Sequence, residues 1–183
     1  MYYRVEVNHS NLGTVIETPF SLNPTRMRIA YDQAKWQLLS TFVDISLEKG
    51  TTLFNVCNAA VTQNLEIGAI LPSIWEVLFE RARPECIPIR RTECAFFFEK
   101  KENAIRFKAD YFGMEMAVLC EVEIIKEVFS MKADMNWLNS INENTATAVE
   151  AINAFKKYWA GEMTDSPVME VLFQGKYKLN PVE

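Results

Sequence analysis

The amino-acid sequence predicts an α+β fold, with helices concentrated before residue 85 and strands at both ends and in the middle of the chain. Short segments alternate apolar and polar residues with a period of two, which is typical of strands. Longer segments repeat apolar residues every three or four positions, which is typical of helices. A chain of 183 residues, 49% of them hydrophobic, is long enough to bury its own core. We therefore expect a single domain over residues 1–183.

The first half of the chain predicts one strand followed by helices. Tyr2–Val7 alternates as a strand, and a loop follows through Pro19. Asn23 and Pro24 then supply a cap and a first-turn proline for a helix that runs to Gly50. Two shorter helices are predicted over 52–63 and, behind Pro72, over 74–82. Together they make a helical segment at about 22–84, inserted after the first strand.

The second half predicts strands separated by two helices. Helices are expected over 100–109 and 144–159, and strands over 93–99, 116–124, 168–173 and 177–179. A turn is expected at Gly175, between the last two strands. Because no early segment can pair with the first strand, that strand should lie beside later ones.

The segment Glu170-Val171-Leu172-Phe173-Gln174-Gly175 has two interpretations. It matches the recognition sequence of a picornaviral processing protease, which would make it a remnant of protein production. However, Met169 precedes it, Lys176 follows it, and the alternation continues to Leu179, so we interpret it as a native strand. A carboxylate that leads a buried apolar strand usually has a reason beyond packing. Glu170 is therefore a candidate functional residue.

The cysteine pattern predicts reduced thiols and no metal site. The four cysteines form no C-x-x-C pair, and the single histidine, His9, cannot complete a common zinc set. The sequence also lacks a signal peptide and an apolar run of about 20 residues, the length that a membrane span needs. We expect a cytoplasmic protein that does not enter a membrane.

The net charge of −5 is unevenly distributed along the chain. Phe79–Lys108, here called the basic strip, carries eight Lys or Arg against five Glu, so the strip is +3 and the remainder is −8. A local basic strip can bind a phosphate-bearing ligand, although a solvated charged surface is the more common outcome.

Familiar catalytic motifs are absent from the sequence. There is no phosphate-binding glycine-rich loop, no G-x-S-x-G and no H-E-x-x-H. The polar residues that remain on or beside predicted strands are Arg4, the Arg90-Arg91-Thr92 group and Glu170. Each alone has an ordinary surface role as its alternative.

A series of short motifs runs through both ends and the middle of the chain. They are Tyr3-Arg4-Val5, Arg91-Thr92-Glu93-Cys94-Ala95-Phe96, Ala104, Cys120-Glu121-Val122-Glu123, Ala133-Asp134, Trp137-Leu138, Tyr158-Trp159-Ala160-Gly161-Glu162 and Glu170-Val171-Leu172. In order and spacing this series resembles the mono-ADP-ribosyltransferase fold, and within it a bacterial group of uncharacterised ADP-ribosyltransferase-like domains. The resemblance implies a split β-sheet core with a helical segment inserted after the first strand.

The resemblance also implies an activity, with NAD as substrate and an unknown protein or nucleic-acid acceptor, in a bacterial or phage protein. In that fold an arginine, a serine and a glutamate on three strands surround NAD. Arg4 would match the arginine, Cys94 falls near the serine, and Glu170 would match the catalytic glutamate. With the resemblance as the starting point, the candidate NAD-binding residues are Arg4, Arg91, Thr92, Cys94, Phe96 and Tyr111.

These residue types suit that chemistry. Breaking the bond between nicotinamide and ribose builds positive charge on the sugar, which a nearby carboxylate stabilises. An arginine can clamp a diphosphate with paired hydrogen bonds, and an aromatic ring can stack on nicotinamide.

Two departures from the family pattern define the alternatives. Cys94 replaces the serine, and Val168 stands where many arginine-modifying members carry a second Glu or Gln, which argues against an arginine acceptor. Both favour a catalytically inactive binding module on the same fold. A third alternative is a small nucleic-acid-binding protein that uses the basic strip, which the net charge of −5 disfavours. If the protein is either an ADP-ribosyltransferase or an inactive binding module on that fold, Arg4, Cys94 and Glu170 should converge on one cleft.

Overall fold

A computed structural model describes residues 1–18, 33–61, 67–112, 116–142 and 144–182. The chain divides into two compact units. The first, here called the sheet unit, comprises Met1–Leu22, Glu93–Ala133 and Val168–Glu183. The second, here called the helical unit, comprises Asn23–Thr92 and Asp134–Pro167.

Within the residues that the structure describes, five strands form an antiparallel sheet: β1 (Tyr2–Glu6), β2 (Val15–Glu17), β3 (Ala95–Phe98), β4 (Val118–Asp134) and β5 (Met169–Pro181). Their order is β2-β5-β3-β1-β4, and β4 also pairs with β5. Strands β5, β3, β1 and β4 therefore make a closed circuit. The expectation that the first strand lies beside later ones is confirmed, because β1 pairs with both β3 and β4.

Alternation along the strands gives the sheet two faces. One face, here called the core face, carries a buried cluster that includes Phe97, Cys120, Val171, Phe173 and Tyr177. The opposite face, here called the helix face, carries the residues that alternate with these. The α+β class is thus confirmed, with a small antiparallel sheet as its β component.

A helix packs on the helix face of the sheet. This helix, α4 (Lys101–Tyr111), follows β3 after two residues, and its sequence holds no Gly or Pro that would interrupt it. It docks through the fully buried Ala104 and through Phe107, whose ring centroid lies 5.2 Å from that of Phe98 on β3. The predicted helix over 100–109 is confirmed.

Strand β5 runs without interruption through the segment that resembles a protease site. The predicted strand at Glu170–Phe173 is confirmed as part of an interior strand, because these residues pair with β3 and β5 lies between β2 and β3 in the sheet. The predicted turn at Gly175 is wrong, and the two predicted strands are one. The reason is that β2 lies beside Lys176–Lys178 and supplies partners on the far side of the glycine.

Gly175 is needed because another backbone comes very close to it. Its φ is +147°, and a Cβ at this position would lie 2.0 Å from the carbonyl oxygen of Lys126 on β4. Its amide donates to the Thr18 hydroxyl at 2.8 Å, and its carbonyl accepts from the Thr18 amide at 3.0 Å. The strand can therefore continue only with a glycine here.

Gly175→Ala should lower the free energy of unfolding by about 2–4 kcal/mol, since backbone strain and overpacking add. Gly13→Ala is the matched control: Gly13 also has a positive φ, of 73°, but a Cβ there meets nothing within 4 Å. The control should cost only about 1–2 kcal/mol, the strain term alone. Urea unfolding measures both, and an equal loss for the two variants would contradict the close approach.

Two other strand predictions need correction. The predicted strand over 116–124 begins at Val118 and continues through Asp134, because β4 also pairs with β5; its residues 125–128 are exposed and show no alternation. The predicted loop between residues 8 and 19 contains β2, whose three residues alternate exposed, buried, exposed. Pairing with β5 stabilises a strand that is too short to be predicted alone.

The helical unit contains α1 (Gln33–Lys49), α2 (Leu53–Val61), α3 (Ile67–Ala82), α5 (Asn136–Asn139) and α6 (Ala148–Trp159). The helix ending at Gly50 is confirmed over the described residues, and its predicted cap at Asn23-Pro24 lies outside them. The predicted helix over 74–82 begins earlier, at Ile67.

Helix α6 shows how the helical unit is held together. A capping box starts it: the Thr147 hydroxyl accepts from the Glu150 amide, and the Glu150 carboxylate accepts from the Thr147 amide. Its Phe155 ring stacks on Phe79 of α3 with centroids 3.9 Å apart, and the Trp159 indole donates to the Phe79 carbonyl at 2.8 Å. The predicted helix over 144–159 is confirmed from Ala148 onward.

Candidate functional site

Glu170 lies on the helix face of the sheet, near the start of β5. It is opposite Phe98 on β3, and Phe98 is opposite Tyr3 on β1. Tyr3, Phe98 and Glu170 therefore form one row across three strands, here called the Glu170 row, with their side chains on the same face. Glu170 is only 3% exposed, although its side chain is polar. A glutamate is rarely this deeply buried, which makes Glu170 a candidate functional residue.

A chain of contacting aromatic rings runs from Phe98 in the Glu170 row to the protein surface. The Phe98 ring contacts Phe107, and the Phe107 ring contacts Tyr111 with centroids 4.7 Å apart. Tyr111 is 62% exposed, so one side of its ring is open to a ligand. The sequence identified Tyr111 but missed Phe107. The missed signal is their spacing of four residues, which puts both on one side of a helix.

Arg4 does not lie beside Glu170. It is the neighbour of Tyr3 along β1 and is opposite Cys120, a member of the core-face cluster. Because successive side chains of a strand point to opposite faces, Arg4 lies on the core face and Glu170 on the helix face. The predicted convergence of Arg4 with Glu170 is therefore wrong.

On the core face, Arg4 takes part in a polar group. Its Nε donates to Oε2 of the buried Glu6 at 3.2 Å. Burial raises the pKa of the Cys120 thiol to about 11, with the Glu6 carboxylate adding to the rise and Arg4 opposing it. Burial likewise raises the pKa of the Tyr177 hydroxyl. Cys120 is consequently a protonated, unreactive thiol at neutral pH.

Cys94 and Phe96 lie at the beginning of β3. Cys94 is fully buried and directly precedes the strand. Phe96 is partly exposed, pairs with Leu172, and shares the helix face with Glu170. Of the residues assigned to NAD binding, Phe96 and Tyr111 thus belong to the same side of the sheet unit as Glu170.

Arg91 and Thr92 belong to the helical unit, where both are buried. The Arg91 Nη1 lies 2.8 Å from the Glu76 carboxylate, and its Nε donates to the Tyr158 hydroxyl at 3.4 Å. Its guanidinium also sits 4.6 Å from the centroid of the Phe79 ring. These contacts give Arg91 a structural role inside the helical unit.

The basic strip is not a continuous cationic surface. Its residues are divided between the two units, and its arginines have acidic partners. The exposed or partly exposed pairs are Arg81–Asp44, Arg83–Glu80, Arg90–Glu80 and Arg106–Asp110. Salt-dependent binding of a phosphate would therefore rest on the lysines of the strip, rather than on its arginines.

The motif residues Asp134 and Trp137 secure the segment that precedes β5. The Asp134 carboxylate accepts from the Thr164 amide at 2.8 Å and from the Thr164 hydroxyl at 2.6 Å. The Trp137 indole donates to the Glu162 carbonyl at 2.7 Å. These contacts lie within the helical unit and hold residues 162–164 in place.

The fold and this geometry define the class: a mixed α+β protein with a small antiparallel sheet and a buried carboxylate on an interior strand. The chain belongs to a family described as a protein of unknown function, DUF2441, whose model matches residues 1–181. A comparison with curated proteins found no match. Within the described ranges, no helix is long and apolar enough to span a membrane.

Proposed function

We propose that this protein is an NAD-dependent mono-ADP-ribosyltransferase in which Glu170 is the catalytic carboxylate. One observation carries the proposal: Glu170 is buried on the helix face, in a row with Phe98, and the rings of Phe107 and Tyr111 lead from that row to solvent. The motif series that ends at Glu170 also supports it, although the arginine of that series, Arg4, lies on the opposite face of the sheet.

The reaction breaks the bond between ribose C1′ and the nicotinamide nitrogen. Nicotinamide leaves with the electron pair, and the sugar becomes oxocarbenium-like. A nucleophilic atom of the acceptor then bonds to C1′ and loses its proton. A carboxylate fixed in surroundings of low polarity stabilises the developing cation more strongly than the same group in water.

The roles of the other residues follow from their positions. The exposed Tyr111 ring is two ring contacts away from Phe98, so it offers a stacking surface for a flat ring other than the reacting nicotinamide. Phe96 lines the same face further along β3. Arg4 is not assigned to the group around Glu170, because it lies across the sheet from it.

The proposal is tested by release of nicotinamide from NAD, which needs no knowledge of the acceptor because water can serve as one. We expect slow release by the protein alone and faster release when cell extract supplies acceptors, with labelled ADP-ribose attached to one of them. No release and no labelling under both conditions would overturn the proposal.

The inactive binding module on the same fold is the second candidate, and one observation favours it. A fully buried Cys94 stands near the position where the family has its serine. This candidate predicts that NAD binds without turnover, so calorimetry with NAD and the nicotinamide assay together separate the two functions.

A further inference from the structure

One side of α4, next to the side that packs on the sheet, carries a stripe in which partly exposed lysines alternate with exposed apolar side chains. Lys101, Ile105, Lys108 and Phe112 follow one another at intervals of four, three and four residues, which places them on one side of the helix. Phe112 continues the helical geometry, because its amide donates to the Lys108 carbonyl at 3.0 Å. Ile105 is 47% exposed and Phe112 is 36% exposed. We call these four residues the α4 stripe.

The charges of the α4 stripe are unbalanced. Within the described part of the chain, neither Lys101 nor Lys108 has an acidic partner. The acids of α4 lie along a neighbouring side of the helix, where Asp110 pairs with Arg106 at 3.7 Å. The stripe therefore presents two positive charges, about two helical turns apart, with exposed apolar groups beside each.

This combination fits a ligand that repeats negative charge and offers flat apolar surfaces. Unpaired nucleic-acid strands have both, because phosphates follow one another along the backbone and unstacked bases are free to lie on aromatic rings. A duplex hides its bases inside the helix. A membrane surface would require a wider apolar face than one isoleucine and one phenylalanine provide.

We propose that the α4 stripe binds single-stranded nucleic acid, with Lys101 and Lys108 on phosphates and Phe112 against a base. The proposal rests on the proposed function in one respect: it identifies the class of acceptor for ADP-ribose. The same helix carries Tyr111, so the acceptor strand would lie next to the aromatic route to Glu170. Binding itself does not involve NAD.

The test is fluorescence anisotropy of the full chain with labelled oligothymidine and oligouridine of about 12 nucleotides, between about 50 and 200 mM salt. Lys108→Gln should make the slope of log affinity against log salt shallower by about 0.7, the value for one phosphate contact on a single strand. Phe112→Ala should weaken binding about tenfold through loss of stacking. A duplex of the same length should bind more weakly than either strand.

Matched controls carry the same substitutions elsewhere. Lys156→Gln changes an exposed lysine of α6, and Phe54→Ala removes an exposed ring of α2. Both should bind like the unmodified protein. Because Phe112 contacts the Phe107 ring, circular dichroism checks that its variant folds. The Lys101→Gln/Lys108→Gln variant repeats the test without removing a ring contact.

Several results would overturn the proposal. Absence of oligonucleotide binding is one, and unchanged binding by the stripe variants is another. Binding to phosphatidylserine vesicles but not to oligonucleotides, lost in the same variants, would assign the stripe to a membrane surface. If the protein releases nicotinamide but does not bind oligonucleotides, the proposed enzyme stands and the nucleic-acid acceptor is wrong. If it binds oligonucleotides but releases no nicotinamide, only the proposed enzyme is wrong.

Discussion

Glu170→Gln should reduce nicotinamide release about 100- to 1000-fold, an effect of about 3–4 kcal/mol on the transition state. Glutamine keeps the size of the side chain and much of its hydrogen bonding but lacks the negative charge that opposes the sugar cation. NAD affinity should change much less than the rate, because the charge acts on the transition state rather than on bound NAD.

The control for this variant is Glu123→Gln, which makes the same change at an exposed position of β4 and should leave the rate unaltered. Since Glu170 is buried, its replacement also costs about 1–3 kcal/mol of stability, so the assay temperature must lie well below the unfolding midpoint of the variant. Equal rates for the unmodified protein and Glu170→Gln, both above background, would show that Glu170 is not the catalytic group.

Arg91→Met should lower the free energy of unfolding by about 3–5 kcal/mol, as is usual when one partner of a buried ion pair is removed. The Arg91 and Glu76 side chains are 5% and 4% exposed, so water cannot replace the lost guanidinium. Contact with the Phe79 ring is lost as well. Urea unfolding measures the change.

Two further variants show whether the Arg91–Glu76 ion pair accounts for the lost stability. Arg81→Met breaks a pair of similar length with Asp44, 2.7 Å, but both side chains are more than 40% exposed, so it should cost at most about 1 kcal/mol. Adding Glu76→Leu to Arg91→Met should recover much of the lost stability, because the carboxylate no longer remains in the core without its arginine. If the double variant loses as much unfolding free energy as the two single variants added together, the loss in Arg91→Met does not come from breaking the ion pair.

Local patterns in the sequence predicted the elements that carry their own signal. The alternation over 170–173 and 177–179 predicted strands, and α4 and α6 followed from apolar spacing. The capping box at Thr147 and Glu150, which begins α6, was missed, so the predicted start at residue 144 was too early. Elements that depend on distant partners were not predictable in this way. The three residues of β2 become a strand because β5 lies beside them, and β5 itself continues past Gly175 for the same reason.

The candidate site shows the same division. That Glu170 leads a buried strand was visible in the sequence, whereas the face to which it points relative to Arg4 depends on register across β5, β3 and β1. A shift of one residue in any of these pairings moves a side chain to the opposite face. Arg91 likewise could be taken for a charged surface residue at the start of a strand. Nothing in the nearby sequence indicates that it pairs in the core with Glu76, 15 residues earlier.

The continuity of β5 gives the protein a built-in reporter of its own unfolding. The segment that matches the picornaviral protease site lies inside this strand, so the protease, which needs an extended and accessible substrate, can cut after Gln174 only when β5 separates from its neighbours. The rate of cleavage then measures how often the sheet opens. The same property means that this protease, when used to remove a tag, spares the folded protein and destroys molecules that have lost the sheet.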